Sequence, residues 1–178
     1  MPDSRIWTAA LIVIGDEILS GRTHDKNIAQ VAVWLGIQGI RLKEVRVVAD
    51  DTPAIVEAVN TLRARNDYLF TTGGIGPTHD DITVDAIAEA LDVPVVVHPE
   101  ARLILEGYYE TRGGLTDARL RMARVPQGSE LIPNRYTGAP GIRHGNVFIM
   151  AGGPQTTPCT PAAPAGTPAG GAALLTET

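Results

Sequence analysis

Cysteine is almost absent from this sequence. Cys159 stands alone among 178 residues, which excludes an intramolecular disulfide and a zinc site built on several cysteines. Aromatic residues make up only 4%, too few for the stacking platforms of single-strand nucleic-acid binders. Positive charge is also short: the formal net charge is −5, which repels nucleic acid and anionic membrane surfaces. An anionic ligand must therefore be caught locally. No apolar run reaches the length of a membrane span, and Met1 to Thr8 carries charges and a proline where a signal segment would be apolar. A reducing cytoplasm is the expected location.

What is present is enough apolar material for one core, at 44% hydrophobic residues. One domain is expected over 1–154, with 155–178 left as a Pro/Ala/Gly-rich tail. Along the chain a short apolar run, a polar loop and a helix-period segment recur in that order, which argues for a mostly parallel sheet covered by helices, an α/β fold. Ala9 to Ile14 is continuous and β-branched, as a strand buried on both faces should be. Ile28, Val31, Ala32 and Leu35 then fall on one helix face, ended by Gly36 and Gly39. Leu42 to Val48 is the second strand, and Ile55, Ala58, Val59 and Leu62 mark the next helix, with Pro53 in its first turn. Tyr68 to Thr71 is the third strand. A glycine-rich loop leads from it to a helix with Val84, Ile87, Ala88 and Leu91 inward, and Val95 to Val97 makes a fourth strand. Pro99 to Ala123 reads as two helices broken at Gly113 and Gly114. A turn at His144, Gly145 and Asn146 precedes a last strand, Val147 to Met150.

The functional inference is geometric. In an open α/β sheet ligands bind outside the carboxyl ends of the strands. Three loops, Gly15-Asp16-Glu17, Asp50-Asp51 and Thr71 to Asp81, each follow a parallel strand and so should face one crevice. The run Thr71-Thr72-Gly73-Gly74-Ile75-Gly76-Pro77-Thr78 lets the backbone approach a ligand and leads into a helix whose free N–H groups attract anions, which makes a phosphate cradle. The same crevice gathers Asp16, Glu17, Asp50, Asp51, Asp80 and Asp81. Phosphate and bare carboxylate repel, so a divalent cation between them is the economical resolution, and Mg2+ suits a site of one or two carboxylates plus ligand phosphate.

Plainer roles compete at several positions. Glycines punctuate turns everywhere. Asp51 is favoured as the cap of the helix at Pro53, and Asp81 has the alternative of capping the helix at Ile82. Asp16 and Glu17 have the alternative of an exposed turn. His24 and His79 read as surface residues, and Arg119, Arg121 and Arg124 as a solvated face, with contact to a ligand phosphate as the alternative. Trp34 reads as core or as an oligomer contact.

The runs Ile14 to Gly21, Thr71 to Thr83 and Asn134 to Gly141 resemble the molybdopterin-binding domain family. The nearest resemblance is to the N-terminal domain of the competence/damage-inducible protein A family, related in fold to molybdopterin adenylyltransferases. It covers Thr8 to Met150 and implies a three-layer α/β sandwich, often a homotrimer, with the ligand on the Gly-Gly loop. By motif match the two aspartates that serve magnesium-dependent adenylyl transfer fall on Asp50 and Asp81, as catalytic and metal-binding residues. The binding set carried over is Gly15, Asp16, Glu17, Ser20, Thr72, Gly73, Gly74, Gly76, Thr78 and Asp80.

The ligand so implied is molybdopterin or an adenine nucleotide, and the setting is molybdenum-cofactor-type adenylyl or pyrophosphate chemistry. The alternatives are an ADP-ribose-type pyrophosphatase, as on the competence-type branch, and a binder without turnover. The nicotinamide mononucleotide deamidation associated with a second domain of that branch is not carried over. The resemblance lapses after Met150, where Ala151-Gly152-Gly153-Pro154-Gln155 replaces the expected turn and helix. Pro158, Pro161, Pro164 and Pro168 follow at a density no helix survives. A disordered tail is expected, and a shifted frame or a truncation is one hypothesis for its origin, which an intact coding sequence would refute.

Overall fold

The computed structural model describes residues 5–132 and 140–150. The tail and most of the Asn134 to Gly141 run lie outside these residues.

Strand β1 (Trp7–Ile14) has six consecutive buried residues from Ala9 onward, because it lies inside the sheet and is covered on both faces. Its parallel neighbours are β2 (Ile40–Val48) and β3 (Tyr68–Thr72). Alternation decides which side chain meets which layer. Ala10, Ile12 and Ile14 pack with Ile55, Val59 and Leu62 of α3 (Thr52–Arg65) and Ile87 of α4 (Thr83–Leu91). Ala9, Leu11 and Val13 point the other way, toward Val31 and Leu35 of α2 (Asn27–Ile37) and toward Phe70 and Phe148. Each fully buried leucine or isoleucine contributes roughly 1.5–3 kcal/mol. The result is the expected three-layer α/β arrangement. Trp34 belongs to this second core, edge-on to Phe70 at 5.8 Å between ring centroids, while Phe70 stacks on Phe148 at 4.9 Å.

The helix ends follow the sequence in part. Asp51 caps α3 by accepting from the N–H of Ala54 at 3.0 Å, with Pro53 in the first turn. Helix α2 runs through Gly36 and stops before Gly39, whose φ of 74° turns the chain into β2. Between β1 and α2 lies a short helix, α1 (Asp16–Leu19), where the reading of the sequence had a loop.

The sheet order is β2-β1-β3-β8-β7-β6. Strand β8 (Val147–Met150) is parallel to β3, and β7 (Gly141–His144) and β6 (Glu130–Ile132) continue the sheet antiparallel, so the sheet is mostly parallel with an antiparallel edge. His144 ends β7 and so is not part of the turn proper, which is Gly145 and Asn146. The short strand β4 (Val95–Val97) does not join this sheet. It pairs antiparallel with β5 (Arg124–Pro126) in a separate two-stranded ribbon. Pro99 to Ala123 forms α5 (Pro99–Tyr109), α6 (Asp117–Leu120) and a 3-10 turn at Arg121–Ala123. Gly113 and Gly114, at φ of 91° and 78°, make the break between the two helices. No helix among the described residues is long and apolar enough to cross a membrane.

Candidate functional site

Because β1 is followed by a strand on one side and β3 lies on the other, the chain diverges between the carboxyl ends of β1 and β3. This is the topological switch point where an open sheet leaves a crevice. The three loops meet there. The N–H of Gly15 donates to the Val48 carbonyl at 3.1 Å and ties the first loop to β2. The backbone N–H of Asp16 donates to Asp50 Oδ2, and that of Asp50 donates back to Asp16 Oδ1, each at 3.1 Å. This reciprocal pair clamps the first loop to the second.

The third loop presses on both. A Cβ on Gly73 (φ 94°) would sit 2.1 Å from the Ile14 carbonyl oxygen. One on Gly74 (φ 65°) would sit 2.0 Å from Thr83 Oγ1 and 3.4 Å from Asp50 Oδ1. Thr83 Oγ1 donates to the Gly73 carbonyl at 2.9 Å, and the Thr83 N–H to the Gly74 carbonyl at 3.3 Å, so the first turn of α4 holds the glycines in place. The N–H groups of Gly74, Ile75 and Gly76 find no acceptor among the described residues. A row of free backbone donors ahead of a helix is what a phosphate cradle requires.

The carboxylates divide into those the crevice uses and those it does not. Asp81 does not cap α4. Its Oδ2 accepts from the N–H and the hydroxyl of Thr78, at 2.9 and 2.6 Å, which fixes its carboxylate against Gly76. Burial pushes the Asp50 carboxyl above its ordinary range, the Asp16 N–H pulls it back, and the charges of Asp16, Glu17 and Asp81 push it up further. Asp81 is thus near enough for its charge to be felt at Asp50. Asp51 is occupied as a cap. Asp80, 85% exposed, pairs with His79, itself 90% exposed. Ser20 closes α1 with its hydroxyl donating to the Glu17 carbonyl, on the exposed side of that turn. Asp51, Asp80 and Ser20 thus take no part in the convergence.

A cleft of about 400 Å³ opens beside the clamp. Val13, Ile14 and Ile18 give it an apolar wall, while Glu17, Thr72, Gly73 and Gly74 supply polar groups. Its far side is a segment that the sequence reading missed, Thr23 to Asn27. Asp25 Oδ2 accepts from the Ile28 N–H at 2.8 Å, a capping bond at the start of α2, and its Oδ1 is buried without a partner. The Thr72 hydroxyl is likewise buried and unpartnered. An aspartate three residues before the first apolar position of a helix was a capping signal that pointed to Asp25. His24, read as a surface residue, is exposed and borders the cleft.

Among the described residues no group of three or more His, Cys, Asp or Glu could hold a metal ion unaided. Asp50 and Asp81 offer two carboxylates, so a cation there would draw its remaining ligands from water and from a bound phosphate, as Mg2+ commonly does.

This geometry agrees with a family model. The model for the Probable molybdopterin binding domain matches residues 10–161. The chain belongs to that family. Within it, the chain is similar to the protein CinA from Thermoplasma acidophilum, described as of unknown function. The identity is 31%, the match covers 86% of this chain and 92% of that one, and the TM-score is 0.78. It is 35% identical to a CinA-like protein of Desulfosudis oleivorans over 152 residues, 83% of this chain and 37% of that protein. It is 39% identical to a protein of Pyrobaculum aerophilum, over 57% of that protein's length. The chain spans about half the length of the curated relatives it matches. The tungsten cofactor synthesizing protein MoaB from Pyrococcus furiosus shares the fold at a TM-score of 0.55 and 18% identity, covering 87% of this chain and 88% of that one. Membership of this family ties the domain to a pterin-type ligand.

Proposed function

We propose that this domain binds a phosphorylated pterin or an adenine nucleotide together with Mg2+, and acts at an adenylyl or pyrophosphate group. The observation that carries this reading is the contact of the glycine cradle with the Asp16–Asp50 clamp, since Gly74 lies directly against Asp50 Oδ1. A phosphate held by the free N–H groups of Gly74 to Gly76 would lie beside the carboxylates of Asp50 and Asp81. Burial and the charges of Asp16, Glu17 and, least, Asp81 raise the cost of ionising Asp50, and a cation there would relieve it.

The donor set fits Mg2+, which would neutralise charge on the phosphate and on a departing phosphate oxygen. The chain's own part is positioning. Thr78 fixes Asp81, Asp16 fixes Asp50, and Thr83 fixes the cradle, which is most of what phosphoryl chemistry asks of a protein. Asp25 and Thr72 line the cleft, and the buried, unpartnered Asp25 Oδ1 and Thr72 hydroxyl, once turned to a ligand, would suit the ring N–H and amino groups of a pterin or adenine.

A second reading, hydrolysis of an ADP-ribose-like pyrophosphate, draws support from the likeness to CinA. That likeness is closer than the one to the MoaB structure. The two readings share a site and differ in the acceptor, a pterin phosphate or water. Calorimetric titration with molybdopterin, ATP and ADP-ribose, each with magnesium, followed by chromatography for AMP, pyrophosphate and adenylylated pterin, separates them. Adenylylated pterin supports the first reading and AMP from ADP-ribose the second. Binding without product leaves a carrier, and no binding refutes the assignment. Loss of product in Asp81→Asn with binding retained would place Asp81 in the chemistry.

A further inference from the structure

The three arginines of the α6–β5 stretch have different fates. Arg119 lies over the Tyr109 ring at 4.3 Å and donates to the carbonyls of Arg112 and Gly114. Arg124 is paired with Asp85. The Arg121 side chain makes no hydrogen bond or ion pair among the described residues, and its Nε is buried without an acceptor. A buried unsatisfied donor on a charged group is costly and uncommon.

Arg121 also stands in a particular place. It lines a recess with Gly74, Ile75, Gly76, Asp81 and Arg124, and Gly74 and Ile75 border both this recess and the cleft. The recess holds about 10 Å³, room for roughly one oxygen atom. Arg121 does not fill it by pairing with Asp81, whose Oδ2 is taken by Thr78.

We infer that Arg121 is a positioning residue for the ligand's phosphate, its guanidinium donating to a phosphate oxygen lodged in this recess, opposite the free N–H groups of Gly74 to Gly76. The inference rests on the phosphate-binding reading above and adds a residue to it. Arginine suits the task because its planar fork addresses phosphate oxygens with two parallel donors, whereas a lysine offers a point charge. It also explains why a charged donor is held at a cost in the ligand-free protein: the partner arrives with the ligand.

The test is calorimetric titration of wild type, Arg121→Ala, Arg121→Lys and Arg121→Met with ADP-ribose plus magnesium, and with adenosine as the probe that lacks phosphate. The expected result is that Arg121→Ala weakens ADP-ribose binding roughly 10- to 150-fold, the worth of one charge-assisted hydrogen bond, leaves adenosine unchanged, and is partly rescued by Arg121→Lys. Thermal unfolding of Arg121→Met should match or exceed wild type, since a purely structural arginine would be missed. Equal weakening of both ligands, unchanged ADP-ribose affinity, or a lowered melting point without selectivity for phosphate overturns the inference while leaving the phosphate reading in place. If wild type binds neither ADP-ribose, ATP nor inorganic pyrophosphate, both fall together.

Discussion

Gly73 joins the site to the fold, and its replacement by alanine gives the sharpest test of the geometry. Two costs add at this position. The backbone φ of 94° lies in a region that side-chain-bearing residues enter at roughly 1–3 kcal/mol. The new methyl would stand 2.1 Å from the Ile14 carbonyl oxygen and 3.2 Å from its carbon. These are backbone atoms of a strand buried on both faces, with no side chain to swing aside, and such overpacking costs about 1–3 kcal/mol. The sum is about 4 kcal/mol, which for a chain of this size lowers the melting point by roughly 8–16 °C. Gly107 is the matched control. It sits exposed in α5 with nothing within 4 Å of its built Cβ, so alanine there should stabilise by about 0.4–1 kcal/mol and raise the melting point by a few degrees. Thermal unfolding followed by circular dichroism, checked by urea titration, reads both. A Gly73→Ala protein melting within about 2 °C of wild type, or a Gly107→Ala protein falling as far as Gly73→Ala, would refute the close approach of loop and strand on which the cradle depends.

Two further substitutions probe the carboxylates. Asp50 is held above its ordinary value in the folded state, so the fold binds its proton more tightly than the unfolded chain does. The stability this brings is fully present below the ordinary value and is lost as pH rises through the raised one. Asp50→Asn, which cannot ionise, should therefore gain stability over wild type as pH rises through that window and hold the gain at neutral pH. Urea unfolding across a pH series measures it, and a gap that does not vary with pH would contradict the assigned cause. Thr78→Val removes the hydroxyl donor to Asp81 from an exposed loop and keeps the N–H. Its stability should stay within about 0.5 kcal/mol of wild type, while ATP or ADP-ribose binding with magnesium weakens roughly 3- to 10-fold. Unchanged affinity would mean that Asp81 needs no positioning there.

The βα alternation carried the main outline because it is a local signal repeated. Once Ala9 to Ile14, Leu42 to Val48 and Tyr68 to Thr71 are parallel strands with helical crossovers, their carboxyl ends lie along one edge, and the loops after them become neighbours with no further information. Gly73, Gly74, Asp16 and Asp50 were legible for that reason, as was Asp51 as a cap, since capping is decided within four residues. The strand at Val95 to Val97 was legible as a strand but not as a partner of Arg124–Pro126, because three valines state a preference for extended backbone and say nothing about what lies alongside. The antiparallel strands Glu130–Ile132 and Gly141–His144 are too short for a period to show.

By itself, then, the sequence determined the alternation of strand and helix, the edge of the sheet where the three loops gather, and the glycine loop on it, each of which follows from periodicity and from residues close together in the chain. Only the tertiary structure decided which polar groups face that edge. Asp81 turned to Thr78 and left α4 uncapped, Asp80 and Ser20 turned away, and Asp25 arrived from the segment before α2. Arg121 was brought against the loop by a stretch about 40 residues further along the chain. Such meetings depend on how whole elements pack, and no spacing along the sequence records them.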